Sequence, residues 1–543
     1  MILRNLLNFL YQFYKTFYSK FRNIYLNSNY YDKKISNIRF NELIYKPSPH
    51  LLSSLINYQT KKININDISI ENLWTNKNIN SRDFKKLNNF YWFFKLDLKS
   101  SKKNIHKIIS DWIDKNFKYN SKSWEFDITS KRIIAWLSNY NLTFDESDES
   151  YQKKYNLMIQ KQTNHLVNEI NKSKDLDDKI IGCAAIILVG LCYKDQKNYL
   201  EYGLSLLKKI IKSSFDNYGF PKSRNIKQLI FYLKYFILIR EWFKESQIEI
   251  PDEINETIYY LGQGYAFVWQ NTKFDILMNG NNISNNYDFD NYLKRFDYKF
   301  KNEEKEFGGY IILNGKKISL VMDAGPSPLS RFSKDYQAGA LSFEINSDGK
   351  KLISNCGYFG YKNVDLKKLS KSTATHSVLI IDDNSSCRFE KRNNKAFLIN
   401  GGIKILKKNL IFEKNYWKIN ASHDGYLRRY NTIYERQIEF FPEKYKFVGN
   451  DKILSRKNKL NIKFELRFHL EPNVKLMKTQ DNKTILIELD DQGWKFSCEK
   501  FEINIDKGLY FGKKNSYTQN QNIFISGITN TTEESISWEL SKI

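Results

Sequence analysis

The sequence predicts a multidomain α+β chain, an N-terminal helical domain followed by a C-terminal antiparallel β-sandwich. Three observations predict it. Apolar residues recur at helical spacing from about Asn89 to Trp269, and they alternate with period two from about Gly308. Between these regimes, Asn279 to Lys305 is rich in Asn, Asp and Lys and reads as a connector. The 543 residues exceed one ordinary domain, and 41% hydrophobic with 27% charged residues is a globular mix with ample material for a core. With 23 Gly and 8 Pro, collagen-like and linker-rich classes are excluded. The boundaries read as an extension at 1–35, a helical domain at 36–278, a connector at 279–305 and a β-sandwich at 306–543.

In the helical half, Ile105, Ile108, Ile109, Trp112, Ile113 and Phe117 form one stripe, and Ile133, Ile134, Trp136, Leu137 and Tyr140 another. Ile180 to Tyr193 is apolar nearly all round and predicts a buried helix. Leu200 to Ile211 and Leu229 to Phe243 continue the pattern, and Pro251 opens a helix before Ile254, Ile258 and Leu261. Paired helices with short connections imply a bundle, a solenoid or a toroid. In the β-half, YIILNGKKISLVMD predicts a hairpin turning at Asn314-Gly315, and ALSFEINSDGKKLISN one turning at Asp348-Gly349. HSVLIID, NTIYERQIEFF, NIKFELRFHLE, KTILIELD and KFEINID continue as strands of a large antiparallel sandwich.

The N-terminal stretch carries Arg4, Lys15, Lys20 and Arg22 and no small-residue cleavage site follows, so it reads as a cationic amphipathic helix rather than an export signal. Such a helix either packs on the domain or touches a membrane surface. No apolar run reaches the roughly 20 residues of a membrane span. The net charge of +26, from 86 Lys+Arg against 60 Asp+Glu, reads either as compositional drift toward Lys, Asn and Ile or as attraction to a polyanion. Five cysteines without a C-x-x-C pair give neither a disulfide framework nor a zinc ribbon. There is no nucleophile elbow, P-loop, dinucleotide fingerprint or H-E-x-x-H, so no cofactor is expected.

Several polar motifs stand out, each with a plain structural alternative. In Ser223-Arg224-Asn225, Arg224 could clamp a carboxylate through two parallel hydrogen bonds, or the segment could simply cap the following helix. His423-Asp424-Gly425-Tyr426 sets an imidazole and a phenol around a Gly turn, two general acid/base groups or an ordinary β-turn. His376 begins a strand, where it could line a cleft or hydrogen-bond its own loop. His469 sits on a strand face with Arg467 and reads as structural.

Ordered stretches from about Trp92 to Pro472 resemble the heparinase II/III-like polysaccharide lyases. They are SWEFDITSKRIIAWLSNY, GFPKSRN, VMDAGPSP, AGALSFEINSDGKKLISNCG, TATHSVLIIDDNS, SHDGYLRR and LRFHLEPNV. The resemblance implies an (α/α) toroid followed by a β-sandwich and eliminative cleavage of an acidic, uronic-acid-containing polysaccharide. It also implies a cell-envelope or periplasmic location; a cytoplasmic one is the alternative, since no cleavable signal is evident. The chemistry needs a donor to neutralise the carboxylate, a base and an acid. Arg224 and Asn225 are the expected substrate-binding residues, and His423, Tyr426, His376 and Tyr336 the acid/base candidates. The family's Asn-His pair is replaced by Asp177-Asp178, and its metal positions fall on Gln337, Asn355 and His469, a set from which no zinc is expected. The expected partner is an acidic polysaccharide and not nucleic acid. A non-catalytic glycan-binding or envelope-assembly protein on the same scaffold is the alternative. A toroid glycoside hydrolase would need two carboxylates flanking the bond, which the adjacent Asp177 and Asp178 do not by themselves supply.

Overall fold

A computed structural model of the chain describes residues 2–37, 42–55, 73–74, 79–97, 99–284, 286–361, 363–392, 396–456 and 460–543. Among these, long helices run from Ile2 to Arg295 and strands from Glu306 to Lys542, the order the change of period predicts. The segment read as a connector carries a helix, Tyr287–Arg295, whose Phe289, Tyr292 and Leu293 are buried. The chain forms two compact units, and their boundaries interleave: Ser214–Phe231 and Tyr259–Asn286 group with the β-half, while Tyr232–Ile258 and Tyr287–Asp297 group with the helical half.

In the first unit, the helix Leu176–Cys192 is buried at every position from Ile180 to Val189. Glycines let its neighbours approach: a Cβ at Gly203 would stand 2.5 Å from Ile187. Asp177 and Asp178 lie in the first turn, where carboxylates complement the helix dipole, and Asp177 accepts a 3.1 Å hydrogen bond from Tyr232. An aromatic core joins Phe90, Trp112 and Trp136 edge to face. Arg132 is fully buried beneath Trp112 and donates to the carbonyls of Asn88 and Ser123 and to Gln162.

In the second unit, a nine-stranded and an eight-stranded sheet pack face to face, all their pairings antiparallel. Their inner faces share one apolar core, and Phe343 of one sheet stacks on Trp538 of the other at 5.7 Å. Asp348 and Gly349 both have positive φ, the backbone a type I′ hairpin requires, so this hairpin turns as its sequence predicts. The other hairpin instead closes over Gly315 to Lys317, with the Gly315 N–H on the Ile318 carbonyl.

A charged staple crosses the sandwich. Arg436 and Asp451 are fully buried and paired at 2.7 Å. Arg436 also donates to the carbonyls of Leu341 and Ser377, and Asp451 accepts from Tyr434 and from the Trp538 indole. Asp451→Ala leaves a buried guanidinium without its counter-charge and should cost about 3–5 kcal/mol, measured by chemical unfolding.

Candidate functional site

The site is built from the second unit alone. Asp216 accepts from the backbone of Tyr218 and Phe220, folding a tight turn in which Gly219 takes φ +75°. Phe220 then packs on Phe307 and Tyr310. The chain leaves the turn with Arg224 in the left-handed region, φ +60°, a conformation a non-glycine residue holds only when its surroundings enforce it.

Those surroundings are the Arg224 side chain's own contacts. Nε donates to the Gly308 carbonyl, Nη1 to those of Gly325 and Pro326, and Nη2 to Gly309 and to Asp323 Oδ1 at 2.5 Å. A guanidinium has five N–H donors, and all are taken by the protein. The expected carboxylate clamp is therefore not what this arginine is arranged to do; it braces the segment that carries it. Gly309 and Gly325 form the slot, since a Cβ at either would stand 2.8 or 2.5 Å from the guanidinium. Asn279 donates to Asp323 Oδ2 and to Tyr310, and the Tyr310 hydroxyl donates to the Arg224 carbonyl. Of these three residues only Asp323 falls in a stretch that carries the family resemblance, VMDAGPSP, and none has a role that its sequence context predicts.

Asn225 does two things. Its Oδ1 accepts from the N–H groups of Lys227 and Gln228, capping the helix Ile226–Glu245. Its Nδ2 has no hydrogen-bond partner among the described residues and lies against Gly280. That glycine, at φ +89°, has room for no side chain: a Cβ would stand 2.7 Å from Asn225 Nδ2 and 2.7 Å from Asp335 Cβ. The unused amide donor is thus brought beside the loop of Asp335, Tyr336 and Gln337.

Tyr336 and His376 share this neighbourhood electrostatically: Asp323 acts on both, and Arg224 and Tyr310 act on Tyr336. Burial, with Cys387 and Asp323 adding to it, holds the Tyr336 phenol well above its usual range, so it stays protonated. Burial pushes His376 down to about 4, so it stays neutral. The Ser372 carbonyl accepts from His376 Nδ1 at 2.8 Å, which assigns the proton there and leaves Nε2 a buried lone pair without a partner among the described residues.

His423 and Tyr426 direct their polar atoms to other partners, although Tyr426 lies near Cys387, as Tyr336 does. Tyr426 is in the sandwich core and donates to the Leu379 carbonyl at 2.8 Å. His423 Nδ1 accepts from the Gly425 N–H, its ring packs on Tyr426 and Tyr434, and burial pushes it down to about 4. No hydrogen bond or ion pair joins either residue to Arg224 or Asn225 among the described residues. At Gln337, Asn355 and His469 every side chain is engaged. Gln337 bridges Gly280, Gly357 and Ser370, Asn355 accepts from Ser377, and His469 sits between Cys356 and the Ala374 carbonyl. These residues do not fit a metal centre.

Because the folded values of His376 and His423 lie near 4, below the ordinary 6.5, the unfolded chain takes up these protons first. Their contribution is complete above about pH 6.5 and is lost as pH falls through 4. The melting temperature should therefore drop steadily between these limits, as differential scanning calorimetry across the range would record.

Comparisons with known proteins agree with this architecture. Residues 305–539, nearly all of the β-half, match the model for the heparinase II/III-like C-terminal domain. The fold is that of heparinase III, whose crystal structure superposes with a TM-score of 0.68 at 14% identity over 97% of this chain and 91% of that one. A mutant of the heparan sulfate lyase HepC from Pedobacter heparinus gives 0.66 at 12% identity, over 94% and 87%. Among curated proteins, FtsZ-localized protein C of Caulobacter vibrioides (strain NA1000 / CB15N) is 23% identical over 248 residues. That match spans 43% of this chain and 42% of the relative, under half of each.

Proposed function

We propose that the protein is a polysaccharide lyase that cleaves an acidic, uronic-acid-containing glycan by β-elimination. The observation that carries this reading is the unused Asn225 amide, held against Gly280 beside the loop that carries Tyr336, in the unit that also holds the neutral His376. Each group suits one step. The Asn225 N–H donates to the substrate carboxylate and stabilises the negative charge that builds there when the neighbouring C–H is broken. His376 Nε2 takes that proton, and the Tyr336 hydroxyl protonates the glycosidic oxygen as the C–O bond breaks, leaving an unsaturated uronate. Arg224 and Asp323 hold the donor in place, and the +26 charge draws an anionic polymer in.

The test is ultraviolet absorbance of unsaturated ends, screened over heparan sulfate, chondroitin sulfate, hyaluronan and alginate. A second reading, glycan binding without cleavage, is favoured by exposure: Tyr336, His376 and His423 are each only 1% accessible. The name of the Caulobacter relative, FtsZ-localized protein C, describes a location and no reaction, which suits a non-catalytic scaffold. Binding to an acidic glycan without unsaturated products across the panel would establish this second reading over the first.

A further inference from the structure

The helix Ile2–Leu26 presents an exposed apolar face. At 100° per residue, Leu10, Phe13, Phe17, Phe21 and Ile24 fall within an arc of about 80°. They are 53%, 62%, 54%, 59% and 67% exposed, whereas large apolar side chains packed on a domain are mostly buried. The phenylalanines pack on one another along the helix, Phe13 on Phe17 at 6.4 Å and Phe17 on Phe21 at 4.8 Å, forming one continuous apolar ridge. The last turns are tied down. Leu26 is buried, and Arg22 is paired with the buried Glu169, which also binds Lys172.

Two features choose the occupant of that ridge. The helix carries Arg4, Lys15, Lys20 and Arg22 and no acidic residue. Beside it opens a cleft of about 560 Å³ lined by Tyr14, Tyr18, Lys20, Arg22, Lys172 and Lys174. Glu169 is the one acid paired to these cations among the described residues, and Lys20 and Lys174 make no ion pair there. An apolar ridge flanked by tyrosines and an excess of cations matches the depth profile of an anionic bilayer, with acyl chains under the ridge and phosphates at the basic cleft. No helix among the described residues is long and apolar enough to cross a membrane, so the contact would lie in the surface plane. We propose that the helix Ile2–Leu26 docks the protein on an anionic lipid surface, its aromatic ridge in the acyl region and its basic cleft on the lipid phosphates.

The test is co-sedimentation of the full chain with vesicles of phosphatidylcholine alone and of phosphatidylcholine mixed with phosphatidylglycerol. Binding is expected to the mixed vesicles and to fall steeply with added salt. Phe13→Ser, Phe17→Ser and Phe21→Ser together should weaken partitioning by about a hundredfold or more. Because these side chains are exposed, the melting temperature should hold, which separates lost docking from lost folding. Lys20→Gln with Lys174→Gln should weaken it by roughly twentyfold. The proposal is overturned if mixed vesicles leave the protein in the supernatant, or if the triple variant binds them as well as the parent. It is equally overturned if lipid-free sedimentation equilibrium shows a dimer that the triple variant abolishes and that vesicles do not displace, since the ridge would then be covered by a second copy. None of these outcomes depends on the lyase reading.

Discussion

Asn225→Asp should leave the melting temperature nearly unchanged while lowering turnover by about a hundredfold to a thousandfold. The substitution separates the two jobs of one side chain. A carboxylate at this position still accepts from the N–H groups of Lys227 and Gln228, and Asp caps helices about as well as Asn. What it lacks is the N–H donor now held against Gly280, and it adds a negative charge where the substrate carboxylate must sit. Asn225→Ala removes both functions and should lose the same rate together with about 0.5–2 kcal/mol of stability. Because charge builds on the carboxylate during proton removal, the loss should appear in kcat and not only in KM. If Asn225→Asp keeps full turnover while Asn225→Ala merely melts earlier, the residue is a cap and nothing more.

Much of the architecture was legible in the sequence because burial imposes a period. The apolar run Ile180 to Tyr193 could only be a buried helix, and Asp348-Gly349 between alternating strands could only turn one way. The helix Tyr287–Arg295 is hidden in the sequence because its polar composition reads as linker, although Phe289, Tyr292 and Leu293 keep helical spacing. The site was legible at the level of segments and not of roles. Arg224 was found, but its acceptors are four backbone carbonyls, which carry no sequence signature, and an aspartate 99 positions away. The same limit hid the difference between two histidines. His376 and His423 look equivalent as residues in polar motifs, yet the Ser372 carbonyl leaves an unpartnered lone pair on His376 Nε2, while the Gly425 N–H occupies His423 Nδ1 and leaves an unpartnered N–H on its Nε2 among the described residues.

That difference yields the second large expected effect. His376→Ala should lower turnover by roughly a hundredfold to ten-thousandfold, the usual contribution of a general base, whereas His423→Ala should act chiefly on stability. The pH–rate profile distinguishes this from a structural role. A base works in its neutral form, and burial has pushed His376 down to about 4. The rate should therefore stay level from neutral pH well into the acid range and fall only on approach to 4, not near the 6.5 of an ordinary imidazole. No matching alkaline loss is expected from Tyr336, since burial keeps that phenol protonated well above its usual range. The low value has a chemical consequence. A weak base needs a well-stabilised anion to remove a carbon-bound proton, so His376 depends on the Asn225 donor, and the two should be coupled. The double variant should then be little slower than the worse of the two singles, as groups acting on one transition state are non-additive. Independent losses that simply multiply, or a His376→Ala enzyme whose acid limb is unmoved, would assign the proton abstraction to another group.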